Sequence, residues 1–176
     1  MRRFLSFLLV VASVVCLLGS CKNTDNAEYT PYISFSVFLR NPVFSHDSIV
    51  GCEDTLRIAY DSSSNKYLLD TVSLSDTVVF VVGFGSRGND LKAALVTYDS
   101  AALAMRCDLS KEIEEVLTEQ SDVRKTQLYF VKGYNFVLFP MGYKPRKAGV
   151  HQMVFEVQSD SKYSPVKHTL VQPVSE

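Results

Sequence analysis

The chain has 176 residues with 18 basic and 19 acidic side chains, a net charge of −1, and 47% of its residues are apolar. A balance this close to neutral, without any run of Lys and Arg, offers no phosphate-tracking surface and argues against nucleic acid as a partner. The apolar share suffices for a real core, and one domain is the expectation at this length.

Arg2 and Arg3 precede a mostly apolar run at positions 4–18. A run of about 15 residues falls short of the roughly 20 needed to span a bilayer, and it has the layout of an export signal. It closes on Leu18, Gly19, Ser20 and Cys21. These four residues resemble the lipobox of bacterial lipoproteins. The resemblance implies that residues 1–20 are removed and that the Cys21 thiol carries lipid, so that fatty acyl chains such as palmitate anchor the protein in a membrane. An ordinary secretory signal cut nearby is the alternative, and it leaves Cys21 a thiol. Loss of Arg2 and Arg3 with the signal leaves 16 basic against 19 acidic residues, a net charge of −3.

Residues 21–30 are polar and aperiodic, as suits a short tether. Lys22 stands where an aspartate would favour retention in the inner membrane, so the resemblance further implies the outer membrane, at its periplasmic face or the cell surface. Cys16 leaves with the signal, which makes Cys52 and Cys107 a candidate disulfide in an oxidising compartment. Two separate buried thiols are the alternative. Zinc would require histidines close by.

From Pro31 the pattern is that of strands. Ile33, Phe35, Val37 and Leu39 alternate with Tyr32, Ser34, Ser36 and Phe38, which predicts one strand with the first set inward. Asn41-Pro42 breaks the run, and residues 43–54 read as polar and irregular. Strands at 55–60 and 66–72 flank Asp61-Ser62-Ser63-Ser64-Asn65, a hairpin loop by composition. The most apolar stretch, 76–84, reads as a central strand buried on both faces, or with one face packed and the other under a loop. Residues 85–89 then make a hairpin turn into a strand at 91–98, and 100–105 a helical turn.

One helix is expected at 110–120, where Ile113, Val116 and Leu117 recur at helical spacing and Asp108 or Ser110 caps the start. It should lie as a lid on one end of the β structure. Strands follow at 126–132 and 135–139, joined through Gly133-Tyr134 as a tight hairpin. Residues 140–147 read as a loop, 150–157 as a strand with Met153, Phe155 and Val157 inward, and 168–174 as the last strand.

This pattern predicts a mainly β protein, an antiparallel β-sandwich with one short inserted helix, over residues 31–176. The run Leu74-Ser75-Asp76-Thr77-Val78, the Gly-rich turn before Leu91 and Ala148-Gly149-Val150-His151 resemble immunoglobulin-like lipoproteins of Bacteroidetes cell envelopes. The resemblance implies an immunoglobulin-like sandwich and carries no activity with it.

Gly83-Phe84-Gly85-Ser86-Arg87-Gly88 spells G-x-G-x-x-G, which in dinucleotide-binding folds lets the backbone approach a pyrophosphate. The β-forming Val96-Thr97-Tyr98 and the lack of later βαβ units favour a plain turn. Ser45-His46-Asp47-Ser48 has hydrolase residue types, but sequence neighbours point apart and no nucleophile elbow accompanies them. His151 and His168 read as structural, and Asp47, Asp54, Asp61, Asp76 and Asp90 as turn formers and not calcium ligands. Tyr129, Tyr134, Tyr143 and Tyr163 flank late loops, where they can stack on sugar rings or meet a protein partner. The expected function is a lipid-anchored envelope module without catalytic activity or cofactor, binding a protein partner. A glycan-binding accessory role in a surface uptake system is the alternative.

Overall fold

The computed structural model describes residues 28–45, 48–107 and 111–176, with Lys111 and Glu112 given by backbone alone. The export signal, Cys21 and most of the proposed tether lie outside these residues, as do His46, Asp47 and the proposed helix caps.

Strand β9 (Val78–Gly85), the apolar stretch singled out above, is the middle of the first sheet. β13 (Phe136–Pro145) pairs with it on one side. On the other, β1 (Tyr32–Phe35) and β2 (Phe38–Arg40) follow one another along it. β11 (Leu103–Cys107) and β5 (Asp54–Leu56) close the two edges. The second sheet runs β12 (Gln127–Tyr129), β10 (Leu91–Tyr98), β14 (Gly149–Ser159), β15 (Val166–Ser175), β7 (Lys66–Leu69) and β6 (Ile58–Asp61). β8 (Val72–Ser73) continues beside β15 past the end of β7, and among the described residues β7 and β8, each beside β15, make the parallel pairings. Among the described residues the fold is an antiparallel β-sandwich of the immunoglobulin-like kind with one short α-helix.

The core follows from the alternation. Phe80, Val82 and Phe84 of β9 face Met153, Phe155 and Val157 of β14, and all six are buried. Phe38 stacks on Phe80 at 4.4 Å between ring centroids, and Phe155 meets the edges of both Phe80 (6.1 Å) and Phe35 (5.0 Å). Such ring pairs add about 0.5–1.5 kcal/mol each beyond the area they bury.

Several expectations need correction. The first strand is broken at Ser36-Val37. There the Ser36 hydroxyl accepts the Val81 N–H at 2.8 Å while the Ser36 N–H bonds the Val81 carbonyl, also at 2.8 Å. One added residue reverses the parity: Phe38 is fully buried and Val37, expected inward, is 59% exposed. β9 is buried on its core face, while Val79 and Val81 on the outer face are half-buried. The turn after Gly85 is not a hairpin. β9 already has a neighbour on each side, so the chain crosses over and β10 joins the other sheet. Gly133-Tyr134 likewise carries the chain from β12 in the second sheet to β13 in the first.

Residues 140–145 are strand, not loop. Pro140 lies past the end of β11, which pairs only as far as Met141, and Pro145 lies past the start of β9. Each proline therefore has a partner strand on one side only, where its missing N–H is tolerated. Residues 99–102 form a turn closed by the Asp99 carbonyl, and β11 begins at once at Leu103. Helix α1 is cut to Lys111–Glu115, because Val116 and Thr118 turn aside to bond the backbone of Val131 and Tyr129. Val116 is buried against the core, and Ile113 and Leu117 pack beside it.

Candidate functional site

The segment read as irregular, 43–54, holds the least expected feature. β3 (Val43–Ser45) and β4 (Ser48–Gly51) form a two-stranded ribbon that pairs with neither sheet. Val43, Phe44, Ile49 and Val50 on it are 56%, 56%, 42% and 64% exposed. A lone ribbon is marginal in water, so its root must be held. Asn41 does this from a left-handed conformation (φ 48°) that asparagine tolerates. Its amide nitrogen donates to Glu53 (2.6 Å) and Asp76 (2.8 Å), and its side-chain oxygen accepts the Thr77 N–H (2.8 Å). Asp76 also accepts the Ser73 N–H at 2.8 Å. Burial alone would raise the Asp76 pKa, but these donors hold it below the usual carboxylate value. Arg40 completes the root beside Glu53 (3.6 Å) and Asp54 (3.4 Å).

β9 runs from this root to the opposite end of the sandwich. There the chain enters at Glu28 and Tyr29, beside the turns between β9 and β10, β12 and β13, and β14 and β15. The Lys162 N–H donates to Glu28 (2.9 Å), the Tyr29 N–H to Asn89 (3.0 Å) and the Leu91 N–H to the Tyr134 carbonyl (2.8 Å). Tyr29, Tyr32, Tyr134, Phe136 and Tyr163 gather at this end, each 38–42% exposed. Tyr32 stacks on Phe136 at 6.3 Å, lying across Gly85.

A Cβ on Gly85 would strike the Tyr32 ring, and one on Gly83 the Ser34 hydroxyl. Two glycines of the G-x-G-x-x-G thus serve close packing on the outer face of β9. Gly88 sits at positive φ (139°) in the turn, and residues 91–98 form strand β10 where a dinucleotide site needs a helix.

The four tyrosines proposed as ligand contacts do not form one surface. Tyr143 is 1% exposed, and its phenol hydrogen-bonds Gln172 on the other sheet, so it is a core residue. Burial pushes its pKa well above the usual tyrosine value. Tyr129 is half-buried on β12, while Tyr134 and Tyr163 belong to the aromatic end. Their grouping with Tyr29, Tyr32 and Phe136 joins distant segments, and no local sequence signal marks it.

Cys52 and Cys107 are both thiols, which corrects the candidate disulfide. Cys107 ends β11 at one edge of the first sheet and Cys52 lies beside β5 at the other. Four strand spacings of about 4.8 Å separate those edges, far beyond the roughly 7 Å Cα limit for a bridge. Burial pushes the Cys107 thiol up to about 11.

His151 places Nε2 2.7 Å from the Lys147 carbonyl oxygen. His168 packs edge-on against Tyr67 at 5.1 Å, and burial lowers its pKa. Asp61 accepts the hydroxyls of Ser64 and Ser63 and the Ser63 N–H, which hold its carboxyl down to about 2. No group of His, Cys, Asp and Glu among the described residues is arranged to hold a metal ion.

An open groove of about 750 Å³ lies where the sheets part, between β5 and the β6–β7 hairpin, lined by Phe35, Val37, Leu56, Ile58 and Leu68. The chain crosses from one sheet to the other here at Arg57, whose N–H donates to Asp70 at 2.9 Å. No helix among the described residues is long and apolar enough to cross a membrane.

The architecture defines an immunoglobulin-like β-sandwich. No protein-family model and no curated protein matches the sequence. Among solved structures, the chain is similar to a family 123 glycoside hydrolase from Clostridium perfringens, at TM-score 0.40 and 8% identity over 82% of this chain and 27% of that one. It is also similar to the ASH/PapD-like domain 7 of human CEP192, at TM-score 0.35 and 10% identity over 77% and 99% of the two chains. The C-terminal domain of the Streptococcus agalactiae AgI/II polypeptide BspA gives TM-score 0.37 and 13% identity over 82% and 50%. Likenesses at this level assign no ligand, partner or activity to this chain.

Proposed function

We propose that the protein is a lipid-anchored component of the outer membrane, held through acylated Cys21, whose sandwich is a non-catalytic module that docks another envelope protein on the β3–β4 ribbon. One observation carries the reading: Val43, Phe44, Ile49 and Val50 are exposed together on a ribbon that neither sheet covers. Its described residues carry apolar side chains on both faces and no charge. Among the described residues its strands pair with each other and with neither sheet, so its outer edges present a row of backbone groups. A protein strand matches such a row at the spacing of a sheet, as a sugar or a lipid does not. Tyr143, one of the four tyrosines expected to meet a sugar or a protein partner, is buried in the core and serves neither reading.

The test places a photo-crosslinking residue at Val50 in the full chain in intact cells, with Gln152 on the outer face of β14 as control. A discrete adduct at Val50 that is absent at Gln152, and lost from a still-folded F44S/I49S variant, is the expected result. Equal labelling at both positions, or none at Val50, overturns the docking role. Mass spectrometry of the amino-terminal peptide reads the anchor separately, and an unacylated Cys21 overturns it.

A further inference from the structure

We propose that the aromatic end of the sandwich rests on the lipid headgroup layer, with Tyr29, Tyr32, Tyr134, Phe136 and Tyr163 as its contact surface. This rests on the Cys21 anchor proposed above and adds an orientation to it. The first argument is reach. Six residues separate Cys21 from Glu28, and seven fully extended steps of at most about 3.6 Å each span roughly 25 Å. Glu28 is tied to Lys162 at the aromatic end. The eight residues of β9 alone add about 27 Å before the ribbon root is reached. So short a tether sets the aromatic end, and not the ribbon, against the bilayer.

The second argument is chemical. Tyrosine has an apolar ring and a polar tip, which suits the boundary between acyl chains and headgroups, and basic side chains reach from such a boundary to phosphate. Arg87, Lys132 and Lys162 are exposed on the loops of this end, and Lys162 lies over the Tyr163 ring at 5.8 Å from its centroid. The acids on the same segments are Glu28, Asp90 and Asp160, equal in number to the bases. The end is therefore neutral. Its contact with lipid is made by rings, and it should change little with ionic strength.

Hydroxyl-radical footprinting of the full acylated chain in phosphatidylethanolamine–phosphatidylglycerol vesicles tests this, with the Cys21→Ala protein in solution as reference. The expected result is a several-fold slower oxidation of Tyr29, Tyr134 and Tyr163 in vesicles, equal at low and high salt, with Phe44 and Tyr60 unchanged. The Y29S/Y134S/Y163S variant should leave Cys21 acylated yet restore solution-like oxidation of Tyr32. Acylated protein whose tyrosines oxidise as in solution, or whose Phe44 is shielded instead, overturns the orientation while the anchor stands. A Cys21 found without lipid removes the anchor and this proposal with it.

Discussion

The phenol of Tyr143 on β13 hydrogen-bonds the side-chain oxygen of Gln172 on β15, a polar tie between the two sheets in which both residues are buried. Gln172 donates in turn to the carbonyls of Asp70 (2.8 Å) and Pro173 (2.7 Å), so one side chain links β13, β15 and the gap between β7 and β8. Tyr143→Phe leaves the Gln172 oxygen without its donor in the core. The expected loss is about 1–3 kcal/mol, read as a lower urea midpoint. Gln172→Leu should cost more, since it also strands the phenol and the Asp70 carbonyl.

The same burial makes the fold sensitive to alkali. Tyr143 and Cys107 both ionise more readily in the unfolded chain, their folded pKa values being raised by burial. A raised folded pKa gives stability that is complete below the unfolded pKa and declines as pH rises above it. The decline should therefore start near pH 9, the ordinary thiol value, and steepen above 10, the ordinary phenol value. Urea midpoints from pH 7 upward should be level and then fall, and Tyr143→Phe should flatten the steeper part.

Asp76 gives the opposite sign at low pH. Its folded pKa lies below the ordinary 3.8, so its contribution is present above that value and is lost as pH falls through the folded pKa. Asp76→Ala should cost about 1–3 kcal/mol at pH 7 by stranding the Ser73 N–H and the Asn41 amide. At pH 2 its deficit against the native chain should be smaller.

Thiol mapping checks the cysteine geometry. Alkylation of the native protein without reductant should find both Cys52 and Cys107 free. Cys107 should react slowly, because a thiol raised to about 11 holds little thiolate at neutral pH. A linked Cys52–Cys107 peptide in the digest would contradict the sheet order.

Gly85→Ala should displace Tyr32 from Phe136, since the new methyl occupies the place of the Tyr32 ring. The ring tip is at the surface and can move, so the expected cost is about 1 kcal/mol. Tyr32→Ser should absorb most of that cost, and a double-mutant cycle in urea shows whether it does.

Period-two alternation determined where the inward strands lie: Met153, Phe155 and Val157 are all buried as it requires. The hairpin at Asp61–Asn65 was legible too, because its turn is stabilised by near neighbours, with Asp61 bonded to Ser63 and Ser64. Those are local properties, decided by side-chain parity and by hydrogen bonds a few residues apart. Tertiary structure alone decided the rest. It chose whether the turns after Gly85 and Tyr129 fold back or cross between sheets, because that depends on which neighbouring places are already filled. It reversed the parity at Ser36, made strand of Pro140 and Pro145, and set Cys52 and Cys107 on opposite edges. It also left the β3–β4 ribbon uncovered and brought five aromatic side chains to the other end. Pairing between distant strands is settled by burying two sheet faces at once, a condition on the whole chain that no short stretch of it contains.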